Sequence, residues 1–592
     1  MSSGSATTDG GALPTHVVAT AGHVDHGKST LVRVLTGSDP DRWPEEKHRG
    51  LTIDLGFAWC RLPSGRALSF VDVPGHIRFL RNMLAGVGAV DAAVLVVDVG
   101  EGWMPQTEEH LRILEALGIR HGIVVLSKVA TVERDLVDLA TLELEERLAG
   151  TFLAGADIVA TDALTGDGLP ELNRALDRLA DATPRAHDRG RPRLWVDRSF
   201  AARGSGTVVT GTLTGGALHV DDEVEVGDPP RRARVRALQT HGHPITSAAP
   251  GCRLAVNLAG IGHAEVARGD AVVAPGRWHR TSTIDAGLDV LAALDHEVSR
   301  RGAYIAYIGS GDVPVRLRVL GRDALAPGSG GAVRLHLARP LPLVPGDRFV
   351  LRDSGRDETI GGGEVLDVDP VLPAAVATPD RSVERVVRER GWVRTGDLER
   401  LTGQSVAPTV DDWVVDPEAW SASVSVLEAE VDDAGPLGLD VSVLDVRARA
   451  VLGLLDGIEV DEGRARRSAA SDPLANHHWL ADLDAAPFAP PPPHGVDSAE
   501  VRQLVRRGIV VEESGVHFSA AAVGAASGVV AGLLISQPDG VTVAQIRDAL
   551  GTTRRYVIPL VTILDRSGIT RRRGDLRIAG PRLPPPPADQ AS

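Results

Sequence analysis

The stretch Gly22-His23-Val24-Asp25-His26-Gly27-Lys28-Ser29-Thr30 fits the phosphate-binding loop pattern G-x-x-x-x-G-K-[ST]. It follows an apolar run, residues 16–19, that predicts a short buried strand. Glycines let such a loop wrap a pyrophosphate so that successive backbone N–H groups point at it, and Lys28 would reach the terminal phosphates. The Ser29 hydroxyl would ligate magnesium, and a helix N-terminus at Ser29-Thr30 would add its dipole. The stretch therefore predicts an α/β domain that binds a nucleotide.

A second motif, Asp72-Val73-Pro74-Gly75-His76, lies downstream. It places a carboxylate, a turn and an imidazole where the terminal phosphate of a bound nucleotide would lie. A glycine-rich turn before a helix is the simpler interpretation of the first motif, but it does not explain Lys28 and Asp72 together. The two motifs predict a nucleoside triphosphatase.

Composition limits the class of protein. The 592 residues, 43% of them hydrophobic, are enough for roughly four domains. The two cysteines, Cys60 and Cys252, do not suggest a disulfide framework, and a reducing cytosol fits. No secretory signal or membrane-spanning run is visible. Because the net charge is −16, any contact with RNA is expected at local basic patches.

The predicted pattern of helices and strands changes along the chain. An α/β pattern over residues 15–184 follows a disordered tail, residues 1–14, and short strands then predict two β-barrels at residues 190–277 and 278–372. Residues 378–582 predict an α+β array of winged-helix modules, with weaker copies around residues 383–401 and 497–518 before a last module at about 528–582. A proline-rich tail, residues 583–592, completes the sequence.

The last module has the clearest pattern. Residues 543–550 predict one helix, and Thr552 or Thr553 would cap a second, which Pro559 should bend. A hairpin wing turning at Gly574-Asp575 would come next. Nine arginines face three aspartates between residues 545 and 582. The predicted RNA-binding residues are Arg554, Arg555 and Tyr556 on the helix and Arg571, Arg572 and Arg573 on the wing. A solvated basic face and a DNA-binding winged helix are the alternatives.

Three further segments carry a family resemblance. Arg49-Gly50-Leu51-Thr52-Ile53-Asp54-Leu55-Gly56-Phe57 looks like the first switch of translational GTPases. Asn82-Met83-Leu84-Ala85-Gly86 resembles their second switch, and the residues from Glu101 to His110 resemble the segment after that switch. Within these GTPases the chain is similar to the selenocysteine-specific elongation factor (SelB) family, and the resemblance covers nearly its whole length.

The resemblance implies GTP and Mg²⁺ as ligands and assigns roles to single residues. Thr52 would sense the γ-phosphate, Asp72 would hold magnesium through water, and the Gly75 N–H would bond the phosphate. His76 would be the catalytic residue that positions water, behind an apolar gate of Val24 and Leu51. The implied magnesium ligands are Ser29, Thr52 and Asp72. The implied nucleotide-binding residues are Val24, Asp25, His26, Gly27, Lys28, Ser29, Thr30, Thr52, Asp72, Gly75, Ser127, Lys128, Ala163 and Leu164.

The base-recognition motif departs from the family pattern. Ser127-Lys128-Val129-Ala130 stands where Asn/Thr-Lys-x-Asp is expected, so the carboxylate that accepts two hydrogen bonds from guanine is missing. Asp162-Ala163-Leu164 also replaces the usual Ser-Ala-Leu. Bonds to a charged acceptor contribute ~1.5–3 kcal/mol each, so affinity for guanine should fall unless Glu133 or Asp135 replaces the lost group.

The resemblance also implies an aminoacyl pocket on the first barrel. Arg198 and Arg253 occupy the positions of two arginines that flank the selenocysteyl group, and Asp197 could orient Arg198. A selenol is more acidic than a thiol, so fixed guanidiniums would favour its anion over a serine hydroxyl. The plainer interpretation is that both arginines are surface ion-pair partners.

These features together predict a cytoplasmic elongation factor, monomeric and without a membrane partner. Its partners would be selenocysteyl-tRNA, the ribosome and an mRNA hairpin, the selenocysteine insertion element. Three alternatives remain: a general tRNA-delivering GTPase, a degenerate GTPase that mainly binds RNA, and a winged-helix transcription regulator with an accessory triphosphatase. The pair His477-His478 has no further ligands at suitable spacing for a metal site.

Overall fold

The computed structural model describes residues 15–40, 54–74, 83, 90–202, 206–468, 474 and 477–585. Its contacts divide the chain into two compact units, Met1–Asp416 and Pro417–Ser592. The division places the first of the helical modules in the same unit as the barrels. In the described part of the chain, no helix is long and apolar enough to cross a membrane.

The first domain is a six-stranded sheet with helices on both faces. Its strand order is β2-β3-β1-β4-β5-β6, parallel except for the antiparallel β2–β3 pair. The strands are β1 Thr15–Ala21, β2 Gly56–Arg61, β3 Ala67–Asp72, β4 Ala92–Asp98, β5 Gly122–Ser127 and β6 Ile158–Ala160. The helices are α1 Lys28–Thr36, α2 Pro105–Ala116, α3 Arg134–Leu148 and α4 Leu169–Ala182. A short 3₁₀ turn, Val129–Thr131, comes after β5.

The apolar strands explain this sheet. Along β1, Val17 and Ala19 pack into one core and Val18 into the other, because successive side chains of a strand point to opposite faces. All seven residues of β4 are buried, as expected for a central parallel strand covered on both sides. The sheet therefore brings the carboxyl ends of β1, β3, β4, β5 and β6 to one edge.

The second domain is a six-stranded ring in which β11, β16, β7, β9, β15 and β12 pair in turn and β12 returns to β11. Strands β8 and β13 extend it, and β10 pairs with β14. The bounds are β7 Arg193–Trp195, β8 Arg198–Ala202, β9 Gly206–Thr214, β10 Leu218–His219, β11 Glu223–Val226, β12 Arg231–Thr240, β13 His243–Ile245, β14 Ser247–Ala248, β15 Arg253–Ala259 and β16 Ala271–Val273. A 3₁₀ turn spans His263–Glu265.

The third domain is a closed barrel with strand order β17-β22-β20-β19-β23-β24. The bounds are β17 Arg280–Val290, β18 Val298–Ser299, β19 Tyr304–Ile308, β20 Gly311–Val319, β21 Ala324–Leu325, β22 Gly330–Pro342, β23 Arg348–Asp353 and β24 Glu358–Asp367. This barrel packs on α2 of the first domain. A Cβ on Gly362 would meet the Ala116 Cβ at 2.1 Å, so the contact requires glycine there.

Small helical modules come after the barrels. The first, in the same compact unit, consists of α5 Val383–Arg390, β25 Trp392–Arg394, α6 Thr395–Thr402 and β26 Trp413–Val415. The second unit contains the helices α7 Pro417–Asp433, α8 Val446–Leu452, α9 His478–Ala485, α10 Ser498–Arg506, α11 Ala520–Ser536, α12 Val543–Ala549 and α13 Arg554–Arg566. Its strands are β27 Leu439–Asp440, β28 Ile458–Asp461, β29 Arg464–Arg467, β30 Val510–Glu513, β31 Val516–Ser519, β32 Val541–Thr542, β33 Thr570–Arg573 and β34 Leu576–Ala579. Two 3₁₀ turns, Gly435–Leu437 and Val441–Val443, precede α8.

The last module is a winged helix, as the sequence predicts. Helices α12 and α13 pack on each other, and β33 and β34 form the wing, with β32 added beside β34. Thr553 is the N-cap residue of α13, as one of the two predicted alternatives, but its side chain makes no capping bond, and the Thr552 hydroxyl donates to the Phe488 carbonyl. Pro559 lies inside the helix and is buried. The fold class predicted from the sequence is thus confirmed: a P-loop α/β domain, two barrels and winged-helix modules.

Candidate functional site

The phosphate-binding loop connects β1 to α1. Gly22 (φ 128°) and Gly27 (φ 89°) adopt backbone conformations that side chains rarely take. A Cβ on Gly22 would lie 2.1 Å from the Val96 carbonyl oxygen, so glycine is required where the loop passes β4. Helix α1 begins at Lys28, one residue earlier than predicted, and its N-terminal N–H groups face the loop. The local backbone therefore has the shape of an anion cradle.

Residues of α2 hold this loop from behind. The Gly22 N–H donates to His110 Nδ1 (3.0 Å), and the Val24 N–H donates to Gln106 Oε1 (3.1 Å). Burial lowers the pKa of His110 to about 3, so its ring is neutral at physiological pH and can accept that bond. Burial likewise lowers the pKa of His26 to about 4. Two histidines thus act as neutral polar supports for the loop.

Lys28 and Asp72 lie at the phosphate end of the site. The Lys28 ammonium donates to the carbonyls of Gly22 (3.0 Å) and His23 (2.6 Å). Asp72, fully buried at the end of β3, accepts from the Thr20 hydroxyl through Oδ1 (2.7 Å). The Ser29 hydroxyl, the Asp72 carboxylate and phosphate oxygens are the hard oxygen donors that Mg²⁺ prefers, so this set fits a magnesium nucleotide.

The base end of the site lies beyond β5 and β6. The Ser127 hydroxyl donates to the His26 carbonyl (2.7 Å) and joins the end of β5 to the phosphate-binding loop. Lys128, in the left-handed region (φ 60°), forms an ion pair with Asp98 at 2.6 Å, which fixes its methylene stem. Ala163 and Leu164 lie in the loop after β6, where Leu164 is exposed. The residues predicted to contact the phosphates and those predicted to contact the base therefore lie along one edge of the sheet.

Several predicted residues lie outside the described part of the chain. These are Thr52, Gly75, His76 and Leu51, together with most of the second switch. Their roles in magnesium binding, phosphate contact, water positioning and the apolar gate stay predictions.

The two arginines predicted to form an aminoacyl pocket, Arg198 and Arg253, line a cavity of about 430 Å³ between the first domain and the first barrel. Phe57 of β2 forms part of its wall, and both arginines stack on that ring. The Arg253 guanidinium carbon lies 3.4 Å and that of Arg198 4.5 Å from the ring centroid. Cation–π contact of this kind positions a guanidinium while leaving its edge able to donate.

The arginines have different partners from those expected. The sequence predicts that Asp197 orients Arg198, but Asp197 pairs with Arg253 through two hydrogen bonds of 2.7 and 3.1 Å. Asp197 also accepts from the Thr210 hydroxyl (2.6 Å). Arg198 instead donates to the Leu55 carbonyl of the first domain and lies 3.9 Å from Asp54. Both arginines thus have intramolecular partners and also line the cavity.

The basic residues of the last module are exposed where predicted. Arg554 and Arg555 open α13, and Arg571, Arg572 and Arg573 are consecutive along β33. Tyr556 is half-buried against the module core, with Arg555 5.5 Å from its ring centroid. Tyr556 therefore has less free ring surface for stacking than the sequence suggests.

Four family models match successive parts of the chain. The elongation factor Tu GTP binding domain matches residues 14–182, elongation factor Tu domain 2 matches 206–273, the selenocysteine-specific elongation factor beta-barrel domain matches 290–371, and the elongation factor SelB winged helix matches 533–579.

Curated relatives agree with these models. The selenocysteine-specific elongation factor of Desulfomicrobium baculatum is 41% identical over 350 residues, covering 59% of this chain and 55% of that protein. The protein of the same name from Escherichia coli (strain K12) is 35% identical over 433 residues, covering 70% of this chain and 67% of that protein. The chain belongs to the selenocysteine-specific elongation factor family. It spans about half to two thirds of the length of these relatives.

Structural similarity extends further along the chain. The crystal structure of a bacterial selenocysteine-specific elongation factor aligns with a TM-score of 0.73 at 26% identity, covering 96% of this chain and all of that one. As a member of the selenocysteine-specific elongation factor family, the chain is a SelB-type translational GTPase with a GTP-binding domain and a winged-helix end.

Sequence reasoning missed several residues of the site. Four residues without a predicted role contact the loop, Asp72 or the arginines, and none belongs to the phosphate-loop pattern: Thr20, Gln106, His110 and Phe57. Polar residues inside apolar elements were the available signal, since Thr20 and His110 are both fully buried. Phe57 gave no such signal, because an aromatic residue in a strand is ordinary.

Proposed function

We propose that this chain delivers selenocysteyl-tRNA to ribosomes at a recoded UGA codon, with its winged-helix end bound to an mRNA hairpin. It would hydrolyse GTP with Mg²⁺ when the ribosome recognises the codon. This activity places it in the cytoplasm, with the ribosome, the tRNA and the mRNA as partners.

The arginine pair at the 430 Å³ cavity carries the proposal. Two guanidiniums stacked on Phe57, one of them fixed by Asp197, provide a preorganised cationic wall. A selenolate gains charge-assisted hydrogen bonds there, whereas the neutral hydroxyl of serine does not gain them. The cavity wall includes a strand of the nucleotide-binding domain, which supports a link between aminoacyl binding and nucleotide state.

The test compares selenocysteyl-tRNA with seryl-tRNA on the same tRNA body, bound to the full chain with GTP. We expect clear preference for the selenocysteyl form. The Arg253→Ala variant should lose roughly ten- to a hundredfold of that preference, because a hydrogen bond to a charged group contributes about 1.5–3 kcal/mol.

Arg234→Ala is the matched control, since Arg234 is an exposed arginine of the same barrel. Equal affinity of the unaltered chain for both tRNAs would favour a general tRNA-delivering GTPase. Absence of ribosome-stimulated GTP hydrolysis would favour an RNA-binding protein with a degenerate GTPase domain.

A further inference from the structure

The guanine acceptor expected after Lys128 is missing. Ala130 is exposed and its methyl group accepts no hydrogen bond. The two carboxylates that the sequence offers as replacements, Glu133 and Asp135, lie at the start of α3 with exposed side chains. A different carboxylate lies beside Ala130.

Strand pairing brings that carboxylate there. Strands β5 and β6 are parallel neighbours, with Leu126 opposite Ala160. The Thr161 N–H donates to the Leu126 carbonyl (2.9 Å), so the pairing continues one residue past β6. The loops carrying Ala130 and Asp162 therefore leave the sheet side by side, although they are 32 positions apart in sequence.

Asp162 is held rigidly in this place. Its Oδ1 accepts the N–H groups of Leu164 and Thr165, both at 2.9 Å, and its backbone N–H donates to the Asp167 carbonyl (2.9 Å). These bonds, that from Thr165 above all, lower the pKa of Asp162, and the nearby Ala130 N–H acts in the same direction. The residue is only 4% exposed and its side chain is an anion at neutral pH.

We propose that Asp162 supplies the carboxylate that reads guanine in this protein. The acceptor lost at Ala130 would be replaced from the adjacent loop, at the position where the family pattern has serine. The Leu164 and Thr165 N–H bonds both fall on Oδ1, and a carboxylate has about four lone-pair sites, so the Oδ2 side keeps acceptor capacity for N–H groups of a base beside the nearby Ala130 N–H. The inference rests on the proposed function, which makes GTP the ligand.

The chemistry of the purine edge makes the proposal specific. Guanine presents N1–H and a 2-amino group, both donors, to a carboxylate. Adenine presents an unprotonated N1, and xanthine presents a 2-oxo group, so each places an acceptor against the anion. An amide at position 162 would reverse the second preference, because its carbonyl keeps the Leu164 and Thr165 N–H bonds while its NH₂, in the place of Oδ2, donates to the 2-oxo group instead of accepting from the 2-amino group.

The experiment displaces a fluorescent GTP analogue from the full chain with GTP, XTP or ATP. We expect the unaltered chain to prefer GTP. Asp162→Asn should weaken GTP binding roughly ten- to a hundredfold and strengthen XTP binding at least tenfold. A gain in XTP affinity requires a folded site, so misfolding cannot produce it.

Two further variants sharpen the result. Asp167→Asn changes an exposed carboxylate of the same loop and should leave all three affinities unchanged. Adding Ala130→Asp to Asp162→Ser should restore GTP preference by returning the acceptor to the family position.

Failure here and failure of the proposed function are distinguishable. If Asp162→Asn leaves GTP and XTP affinities unchanged, or if the unaltered chain does not distinguish the three nucleotides, the role of Asp162 is overturned. The tRNA comparison is unaffected by either result. Conversely, Asp162→Asn could change the preference from GTP to XTP while the unaltered chain binds selenocysteyl-tRNA and seryl-tRNA equally. That result supports the role of Asp162 and rejects the delivery function.

Discussion

Lys28 is a buried residue whose ammonium group is predicted to contact the terminal phosphates of the nucleotide. It is 6% exposed, and its ammonium donates to the backbone carbonyls of Gly22 and His23. Burial lowers its pKa to about 8, against the opposing charges of Asp72 and Asp25. The uncharged amine is therefore a substantial species just above neutral pH.

Nucleotide affinity should depend on pH through this residue. A bound triphosphate stabilises the ammonium form, so binding above pH 8 requires uptake of a proton. We expect affinity to be nearly constant below pH 8 and to fall toward tenfold per pH unit above it. Fluorescence titration from pH 7 to 9.5 measures the slope, and calorimetry in buffers of different ionisation enthalpy measures the proton. Constant affinity over this range would contradict the assignment.

Helix α5 is attached to the second barrel by a buried arginine. Arg385 is 2% exposed and bonds through Nη1 to Asp367 of β24 (2.8 Å) and to Glu389 one turn along the helix (2.8 Å). Removing one partner from such a group leaves buried charges uncompensated. The ion pairs of Arg385 are therefore expected to contribute much of the stability with which this short helix is held on the barrel.

Replacing that side chain should loosen the first helical module. We expect Arg385→Ala to lower the free energy of opening of residues 383–415 by about 3–5 kcal/mol. Hydrogen exchange of the full chain, read by mass spectrometry over these residues, measures the change. Arg388→Ala, on the exposed side of the same helix, should change it by less than about 0.5 kcal/mol. Equal effects of the two substitutions would refute the anchoring role.

Elements with local signals could be predicted from the sequence. The hairpin at Gly574-Asp575 and helix α12 obey turn and capping rules that involve neighbouring residues. Contacts between distant segments could not be predicted. Asp197 pairs with Arg253 because the backbone of Asp197 bonds to Thr210 of β9 and β15 is the neighbour of β9, and Thr552 bonds to a carbonyl 64 residues away. The position of Asp162 beside Ala130 is of this second kind, since it depends on the β5–β6 register.

Charge is unevenly distributed over the whole molecule. The chain carries a net charge of −16, whereas residues 545–582 contain nine arginines and three aspartates. A polyanion is repelled by most of such a protein and attracted at one end. The winged helix is thus an electrostatically favourable place for RNA.

Binding of an RNA stem-loop with an unpaired bulge should weaken steeply with salt. We expect Arg572→Ala to reduce the slope of log K against log salt concentration by about 1, the value for one lost phosphate contact. Filter binding of the full chain between low and physiological salt measures both slopes. Arg174→Ala, an exposed arginine of the first domain, is the control and should leave the slope unchanged. Equal slopes for the Arg572→Ala variant and the unaltered chain would contradict a phosphate contact at Arg572.

The hydrogen bond from Arg198 to the Leu55 carbonyl would connect the proposed aminoacyl cavity to the segment that contains the predicted phosphate sensor. Leu55 stands three positions after Thr52, so the peptide that holds the guanidinium is nearly continuous with the threonine expected to meet the γ-phosphate. If a bound amino acid shifts Arg198 and thereby changes the affinity for the nucleotide, thermodynamic reciprocity requires the nucleotide to change the affinity for the amino acid by the same factor. The amino acid and the nucleotide would then each change the affinity of the protein for the other through a short segment of the chain.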